Sequence, residues 1–166
     1  MEQIHLKIIN GDLLKLASEG HFDYIVHGCN CFHAMNSGIA GKIAARYPEA
    51  RSADKLTGFG DRNKLGKCSL AYLDNLIIVN AYTQFNYGRS SNRYFEYPAF
   101  YSFLNMFKNI LVSEFKENKF RIGFPLIGCG LANGDKSFVI SMLKDFAKET
   151  KDIAETTLVL FNETLS

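Results

Sequence analysis

The sequence predicts a three-layer α/β domain with a mixed, mostly parallel central sheet. Short apolar segments with β-branched residues alternate with longer segments in which apolar residues recur three or four positions apart. This alternation is typical of βαβ units, whose helices cover the faces of a parallel sheet. Glycine-rich segments follow two of the predicted strands, at the sheet edge where such domains bind ligands. The whole chain, residues 1–166, is expected to form a single domain.

The first third of the chain contains two predicted strands and a short helix. Residues 4–9 form an apolar segment that predicts a strand, and Asp12 is placed to cap a short helical segment over 13–17. Residues 24–29 form a second apolar segment, whose isoleucine and valine suit a buried strand. Both predicted strands therefore end just before polar or glycine-rich residues.

A helix and a hairpin follow in the middle of the chain. Residues 39–47 show apolar side chains four positions apart, and Pro48 is expected to end that helix. The glycine-rich and charged segment 57–67 reads as an exposed connection. Segments 70–73 and 76–80 flank an Asp-Asn pair and predict a hairpin, which would contribute an antiparallel strand to the sheet.

The second half completes the alternation of strands and helices. Residues 82–94 have no clear period and are rich in aromatic and polar side chains, so they predict a loop. An apolar helical stripe runs through 96–115, and 121–127 predicts a strand. A helix over 136–148 and a final strand over 156–161 follow. The order of elements favours helices on both faces of the sheet.

Composition and charge exclude several classes of protein. The chain is 47% hydrophobic and 22% charged, which is typical of an ordered globular domain and not of a disordered one. Nineteen basic residues balance seventeen acidic ones, so net charge gives no reason to expect binding to nucleic acid or a membrane. The N-terminal residues lack the features of a secretory signal. We therefore expect a cytoplasmic protein; a monomer is expected as well, although the sequence does not determine the oligomeric state.

The four cysteines do not predict a metal site. They are Cys29, Cys31, Cys68 and Cys129. The first pair is too closely spaced for a usual zinc knuckle, and the other two supply no second pair of suitable spacing. We expect buried free thiols, with no metal ion and no cofactor.

Two glycine-rich segments predict an anion site. Residues 35–41 follow the strand over 24–29, and residues 128–135 follow the strand over 121–127. Glycine lets backbone N–H groups approach an anion closely, and a helix N-terminus favours negative charge. Either segment alone could be a simple tight turn, but two of them together indicate a diphosphate site. The second segment is one residue too long for the dinucleotide-binding fingerprint, which disfavours a Rossmann oxidoreductase.

The chain resembles a macrodomain, the ADP-ribose-binding module, over nearly its whole length. The resemblance rests on three segments: Asn10-Gly11-Asp12-Leu13, His27-Gly28-Cys29-Asn30-Cys31 leading into 35–41, and Pro125-Leu126-Ile127-Gly128-Cys129-Gly130-Leu131. Within the family the chain is most similar to the branch that contains ADP-ribose 1''-phosphate phosphatases and glutamate-directed ADP-ribosyl hydrolases. That branch has a similar cysteine–asparagine pair followed by a small-residue segment.

The resemblance implies a set of ligand-binding residues. Asp12 would accept a hydrogen bond from the adenine amino group beside the Leu13 backbone, and Asn30 would approach the distal ribose. Residues implied to surround that ribose and a phosphate are Ser37, Gly38, Ile39 and Ala40. Residues implied to line the diphosphate site are Ile127, Gly128, Cys129, Gly130, Leu131, Ala132 and Asn133. Phe161 and Asn162 would lie at the adenine end.

Catalytic candidates are fewer. Asp135 follows the glycine-rich segment and is the candidate base, although it could equally be a first-turn helix residue. His33 is the alternative base, because the ordinary pKa of histidine lies near neutrality, and Asn30 is the third candidate. No lysine lies within 80–95, where the resemblance would place the partner of a catalytic aspartate.

The resemblance leaves three functions open. We expect ADP-ribose binding with hydrolysis of the 1''-phosphate of ADP-ribose 1''-phosphate. The alternatives are removal of ADP-ribose from glutamate or aspartate side chains of proteins, and binding of free or protein-linked ADP-ribose without turnover. The partners would then be ADP-ribose, a 1''-substituted derivative or an ADP-ribosylated protein.

Overall fold

A computed structural model describes residues 4–161; the predicted contact of Asn162 lies outside this range. Its six strands form one sheet in the order β1-β6-β5-β2-β4-β3. The strands are β1 (Leu6–Asn10), β2 (Tyr24–Cys29), β3 (Cys68–Tyr72), β4 (Ile77–Tyr82), β5 (Phe120–Phe124) and β6 (Ala154–Leu160). All neighbouring strands are parallel except β3 and β4, which form the predicted hairpin. The prediction of a mixed, mostly parallel sheet is confirmed.

Helices cover both faces of this sheet. They are α1 (Leu13–Ser18), α2 (Gly38–Arg46), α3 (Pro48–Lys55), α4 (Tyr97–Glu114) and α5 (Lys136–Glu149). One hydrophobic core joins α4 and α5 to one face, with Phe103 and Phe107 fully buried. A second core joins α1, α2 and α3 to the other face, around Ile25 and Ile43. The two cores establish the three-layer α/β/α arrangement.

Gly123 allows α1 to lie close to the sheet. A Cβ atom on Gly123 of β5 would be 2.8 Å from Leu13 Cδ1 and 2.9 Å from the Phe22 ring. Both neighbours are buried, so neither has room to move away. Glycine at this position therefore lets the first residue of α1 pack directly against β5. Asp12, which precedes that residue, is positioned by the same contact.

Three sequence-based predictions of local structure are wrong, and proline explains two of them. The strand predicted over 121–127 ends at Phe124, because Pro125 has no N–H group to continue the ladder. Pro48 ends α2 but also begins α3, which was not predicted; a proline suits the first turn of a helix. The segment 57–67 is not wholly exposed, since Lys64 is buried with its Nζ 4.4 Å from the Tyr82 ring centroid.

Within residues 4–161, no helix is both long enough and apolar enough to cross a membrane.

Candidate functional site

A cleft of about 620 Å³ lies at the carboxyl ends of the parallel strands. Each strand contributes the residues that follow it: Asp12 after β1, Phe161 after β6, Leu126 to Gly128 after β5, Asn30 after β2 and Gln84 after β4. Because these ends share one edge of the sheet, the strand order fixes the order of side chains along the cleft. Neighbouring strands lie about 4.8 Å apart, so the cleft spans about 19 Å from β1 to β4.

Asp12 occupies the β1 end of the cleft and also caps α1. Its Oδ1 accepts hydrogen bonds from the N–H groups of Leu14 (3.1 Å) and Lys15 (3.2 Å). The helix-capping prediction is confirmed. The carboxylate is exposed and lines the cleft, so it retains accepting capacity for a ligand donor.

The glycine-rich loop after β5 contains glycines with different roles. Gly128 has φ +75°, and a Cβ atom there would overlap the Phe95 ring. A Cβ atom on Gly134 would be 2.7 Å from the Gly128 carbonyl oxygen. Gly130 lines the cleft, its φ is not positive, and no atom lies within 4 Å of the Cβ position. The fold requires glycine at 128 and 134. At position 130 the fold has room for a side chain, and glycine instead leaves the backbone accessible from the cleft.

A helix N-terminus faces the same central part of the cleft. Ser37 is the N-cap of α2, and its hydroxyl makes no capping hydrogen bond. Ser37, Gly38, Ile39 and Ala40 all line the cleft. The first N–H groups of a helix have no partner within the helix, and together with the helix dipole they favour an anion. The structure thus brings both predicted anion-binding segments to one place.

Asn30 shapes the loop after β2. Its Oδ1 accepts hydrogen bonds from the N–H groups of Phe32 (2.9 Å) and Ala34 (3.3 Å), and its Nδ2 donates to the Ala34 carbonyl (2.9 Å). The side chain is buried and lines the cleft beside Ala34. Asn30 therefore holds the loop that leads to α2.

The two candidate bases have other positions. Asp135 is the N-cap of α5; its Oδ1 accepts the Phe138 N–H at 3.0 Å, and the residue does not line the cleft. His33 has φ +58°, and its Nε2 lies 2.9 Å from the Thr57 carbonyl oxygen, so this nitrogen carries the proton. His33 does not line the cleft either. These placements do not support either residue as a base.

Two residues predicted in the diphosphate site also lie outside the lining. Cys129 donates its thiol to the Ile127 carbonyl at 3.4 Å. Asn133, with φ +61°, donates its amide Nδ2 to the carbonyls of Ser90 (3.0 Å) and Asn92 (2.7 Å). Asn133 thus connects the glycine-rich loop to the segment that follows β4. The other predicted residues of this segment, among them Leu131 and Ala132, line the cleft.

Sequence reasoning missed the contribution of the segment after β4. Gln84, Tyr87, Gly88 and Arg89 line the cleft, as does Lys42 from α2. The available signal was a long aromatic and polar loop directly after a buried strand, which is a common location for binding residues.

A buried histidine lies beneath the β2 end. His27 is fully buried, and its Nε2 lies 2.6 Å from Asn80 Oδ1. The amide Nδ2 of Asn80 donates to the Ala50 carbonyl and to Ser69 Oγ, so Oδ1 is the acceptor and His27 donates. Burial lowers the pKa of His27 to about 4. The imidazole is therefore neutral near pH 7 and is a structural donor.

The titration of His27 predicts acid sensitivity. The unfolded chain binds a proton near pH 6.5 and the folded chain only near pH 4, so the free energy of unfolding should fall as pH decreases through this window. The full effect is on the order of 3 kcal/mol. Urea melts between pH 4 and 7 should show this loss in the wild type and a shallower one in His27→Gln. His21→Gln, at an exposed position, is the control, and an equal slope in His27→Gln would contradict the assignment.

The cysteines near the cleft are not activated nucleophiles. Burial raises the pKa of the Cys29 thiol well above its ordinary value and raises that of Cys31. None of the four cysteines, which all lie within residues 4–161, forms a disulfide bond. Among residues 4–161, no cluster of three His, Cys, Asp or Glu side chains could hold a metal ion.

Comparison with known proteins places the chain in a family. No family model matches the chain. It is 36% identical over 152 residues to an uncharacterized 17.5 kDa protein from the tk-vs intergenic region of Enterobacteria phage T4, covering 87% of this chain and 91% of the phage protein. A solved structure of the macrodomain of Mycobacterium tuberculosis DarG superposes with a TM-score of 0.71 over 98% of this chain and all of that one, at 16% identity.

The chain is a macrodomain in fold, and it belongs to the same family as the phage T4 protein. The Thermosipho africanus DarTG structure in complex with ADP-ribose superposes on this macrodomain with a TM-score of 0.74, at 17% identity, covering 98% of this chain and 43% of that one. A Saccharomyces cerevisiae ADP-ribose 1''-phosphate phosphatase is 29% identical over 92 residues, covering 53% of this chain and 50% of the yeast protein.

Proposed function

We propose that this macrodomain binds ADP-ribose in the cleft described above. The observation that carries the proposal is the order of chemical groups along the sheet edge. A carboxylate, Asp12, lies at one end, and the Gly130 backbone and the α2 N-terminus both line the cleft between its two ends. A nucleoside diphosphate presents the same order, an amino-bearing base followed by two phosphates.

The walls of the cleft fit the two ends of that ligand. At the β1 end, apolar residues Leu13 and Val159 lie beside Asp12, and Phe161 is exposed at the rim. An adenine ring buries apolar faces while its amino group requires an acceptor. At the β2 and β4 end, Asn30 and Gln84 supply polar groups that suit ribose hydroxyls. Structures of similar fold in complex with ADP-ribose support this assignment.

Hydrolysis of the 1''-phosphate is the candidate reaction. It is supported by the yeast phosphatase, which is similar over about half of this chain. Among the described residues that line the β2 and β4 end, none is a carboxylate or a histidine. A general base is a usual requirement for activating water, so this observation favours the second candidate, an ADP-ribose binder without turnover. Both candidates share the same ligand.

A titration and a phosphate-release assay test these proposals together. Calorimetry should show that ADP-ribose binds more tightly than AMP or NAD, and no detectable binding at millimolar ADP-ribose would contradict the proposal. Phosphate release from ADP-ribose 1''-phosphate separates hydrolase from binder. Asp135→Asn is the matched variant, because asparagine also caps helices. If the wild type releases phosphate, the placement of Asp135 predicts an unchanged kcat and Kd in this variant, whereas loss of a base would lower kcat by about 10²–10⁴ with Kd unchanged.

A further inference from the structure

Three charged side chains line the cleft within the described part of the chain: Asp12, Lys42 and Arg89. Two of them lie toward the β1 and β6 end. Asp12 follows β1, and Lys42 Nζ lies 4.9 Å from the ring centroid of Phe161, directly after β6. Arg89 belongs to the segment that follows β4, four strand positions away from β1. Arg89 thus belongs to a different wall of the cleft from Asp12 and Lys42, the wall formed by the segment after β4.

The segment that carries Arg89 is fixed to the glycine-rich loop. It begins and ends at an antiparallel bridge between Gln84 and Phe95. The N–H groups of Tyr94 and Phe95 donate to the Ala132 carbonyl at 2.9 and 3.1 Å. Asn133 adds its two hydrogen bonds to Ser90 and Asn92, on the far side of Arg89. These contacts fix the segment to the glycine-rich loop on the C-terminal side of Arg89, and the bridge at Gln84 fixes it on the N-terminal side.

Arg89 differs from Arg62 and from Arg93, the second arginine of the same segment, because both of these contact an aromatic ring. The guanidinium of Arg62 lies 4.2 Å from the Phe85 ring centroid, and that of Arg93 lies 4.6 Å from the Tyr97 ring centroid. Neither residue lines the cleft. Arg89 is exposed, lines the cleft, and makes no hydrogen bond, salt bridge or ring contact with residues 4–161. Its five N–H donors are thus available to an anionic ligand group.

We propose that Arg89 recognises a negatively charged substituent on the 1'' position of ADP-ribose. This inference rests on the proposed function, which places the distal ribose at the β2 and β4 end. A phosphate monoester carries charge and accepts hydrogen bonds from a guanidinium in pairs. An ester to a protein carboxylate carries no charge at that position. Arg89 therefore makes the cleft selective for a 1''-phosphate over both the free hydroxyl and an acyl linkage.

Calorimetry with two ligands tests the proposal independently of turnover. The ligands are ADP-ribose and its hydrolysis-resistant 1''-C-phosphonate. We expect the wild type to bind the phosphonate about tenfold or more tightly than ADP-ribose, and Arg89→Gln to weaken the phosphonate about tenfold more than it weakens ADP-ribose, which removes the preference. Arg89→Lys should keep part of the preference, since it keeps the charge but loses the paired geometry. Arg93→Gln, which removes the same charge from the same segment outside the cleft, should keep all of it.

Each other outcome has a distinct meaning. Equal weakening of both ligands by Arg89→Gln would place the guanidinium on the diphosphate and overturn the inference. A wild type that binds ADP-ribose without preferring the phosphonate would overturn the inference while leaving the proposed function intact. A wild type that binds neither ligand would overturn the proposed function and this inference with it.

Discussion

Gly130→Val is expected to abolish ADP-ribose binding and leave the fold intact. The glycine has no positive φ, and no atom lies within 4 Å of its Cβ position, so a Cβ atom there meets no neighbour. Because Gly130 lines the cleft, the valine methyl groups would occupy the space that brings backbone N–H groups to a phosphate. Loss of these charge-assisted hydrogen bonds should weaken binding by at least about 100-fold in calorimetry.

Gly128→Ala is the matched control with the opposite expectation. Residue 128 has φ +75°, and its Cβ atom would overlap the buried Phe95 ring. The strained backbone alone costs about 1–2 kcal/mol, and the overlap adds to that cost. A thermal melt should therefore show a large loss of stability for Gly128→Ala and little change for Gly130→Val. A strongly lowered Tm in Gly130→Val would show that this glycine has a structural role.

Asp12 is expected to discriminate the base of the nucleotide. Inosine diphosphate ribose lacks the adenine amino group, which would donate a hydrogen bond to the Asp12 carboxylate. The wild type should therefore bind ADP-ribose more tightly than inosine diphosphate ribose. A hydrogen bond to a charged acceptor contributes about 1.5–3 kcal/mol, which corresponds to a preference of about 10- to 100-fold. Asp12→Ser should bind the two ligands equally, as measured by calorimetry.

The serine variant separates ligand recognition from helix capping. The Asp12 carboxylate accepts hydrogen bonds from the N–H groups of Leu14 and Lys15. Serine is also a favourable N-cap residue. Asp12→Ser should therefore keep the stability of the wild type, whereas Asp12→Ala should lose about 1 kcal/mol from the missing cap. If Asp12→Ser retains the preference for ADP-ribose, the adenine assignment is wrong.

The sequence alone determined the layers of the fold and the central part of the cleft. Alternating apolar segments predicted the order of strands and helices, with α3 as the exception, since Pro48 began a helix as well as ending one. The segments around Gly38 and Gly130 were predicted to bind an anion, and the structure brings them together. These features depend on local backbone preferences and hydrophobic periodicity, which are determined by residues close together in the sequence.

Only the tertiary structure decided which side chains face the cleft. Asp135 and His33 are close in sequence to cleft residues, yet one caps α5 and the other contacts the Thr57 carbonyl. Arg89 lies far in sequence from both glycine-rich segments and enters the site because β4 lies beside β2 and Asn133 holds its loop. The direction of a polar side chain depends on contacts between distant segments, and strand order is one of them. The hydrophobic periodicity of a short segment specifies neither the direction of its polar side chains nor the order of the strands.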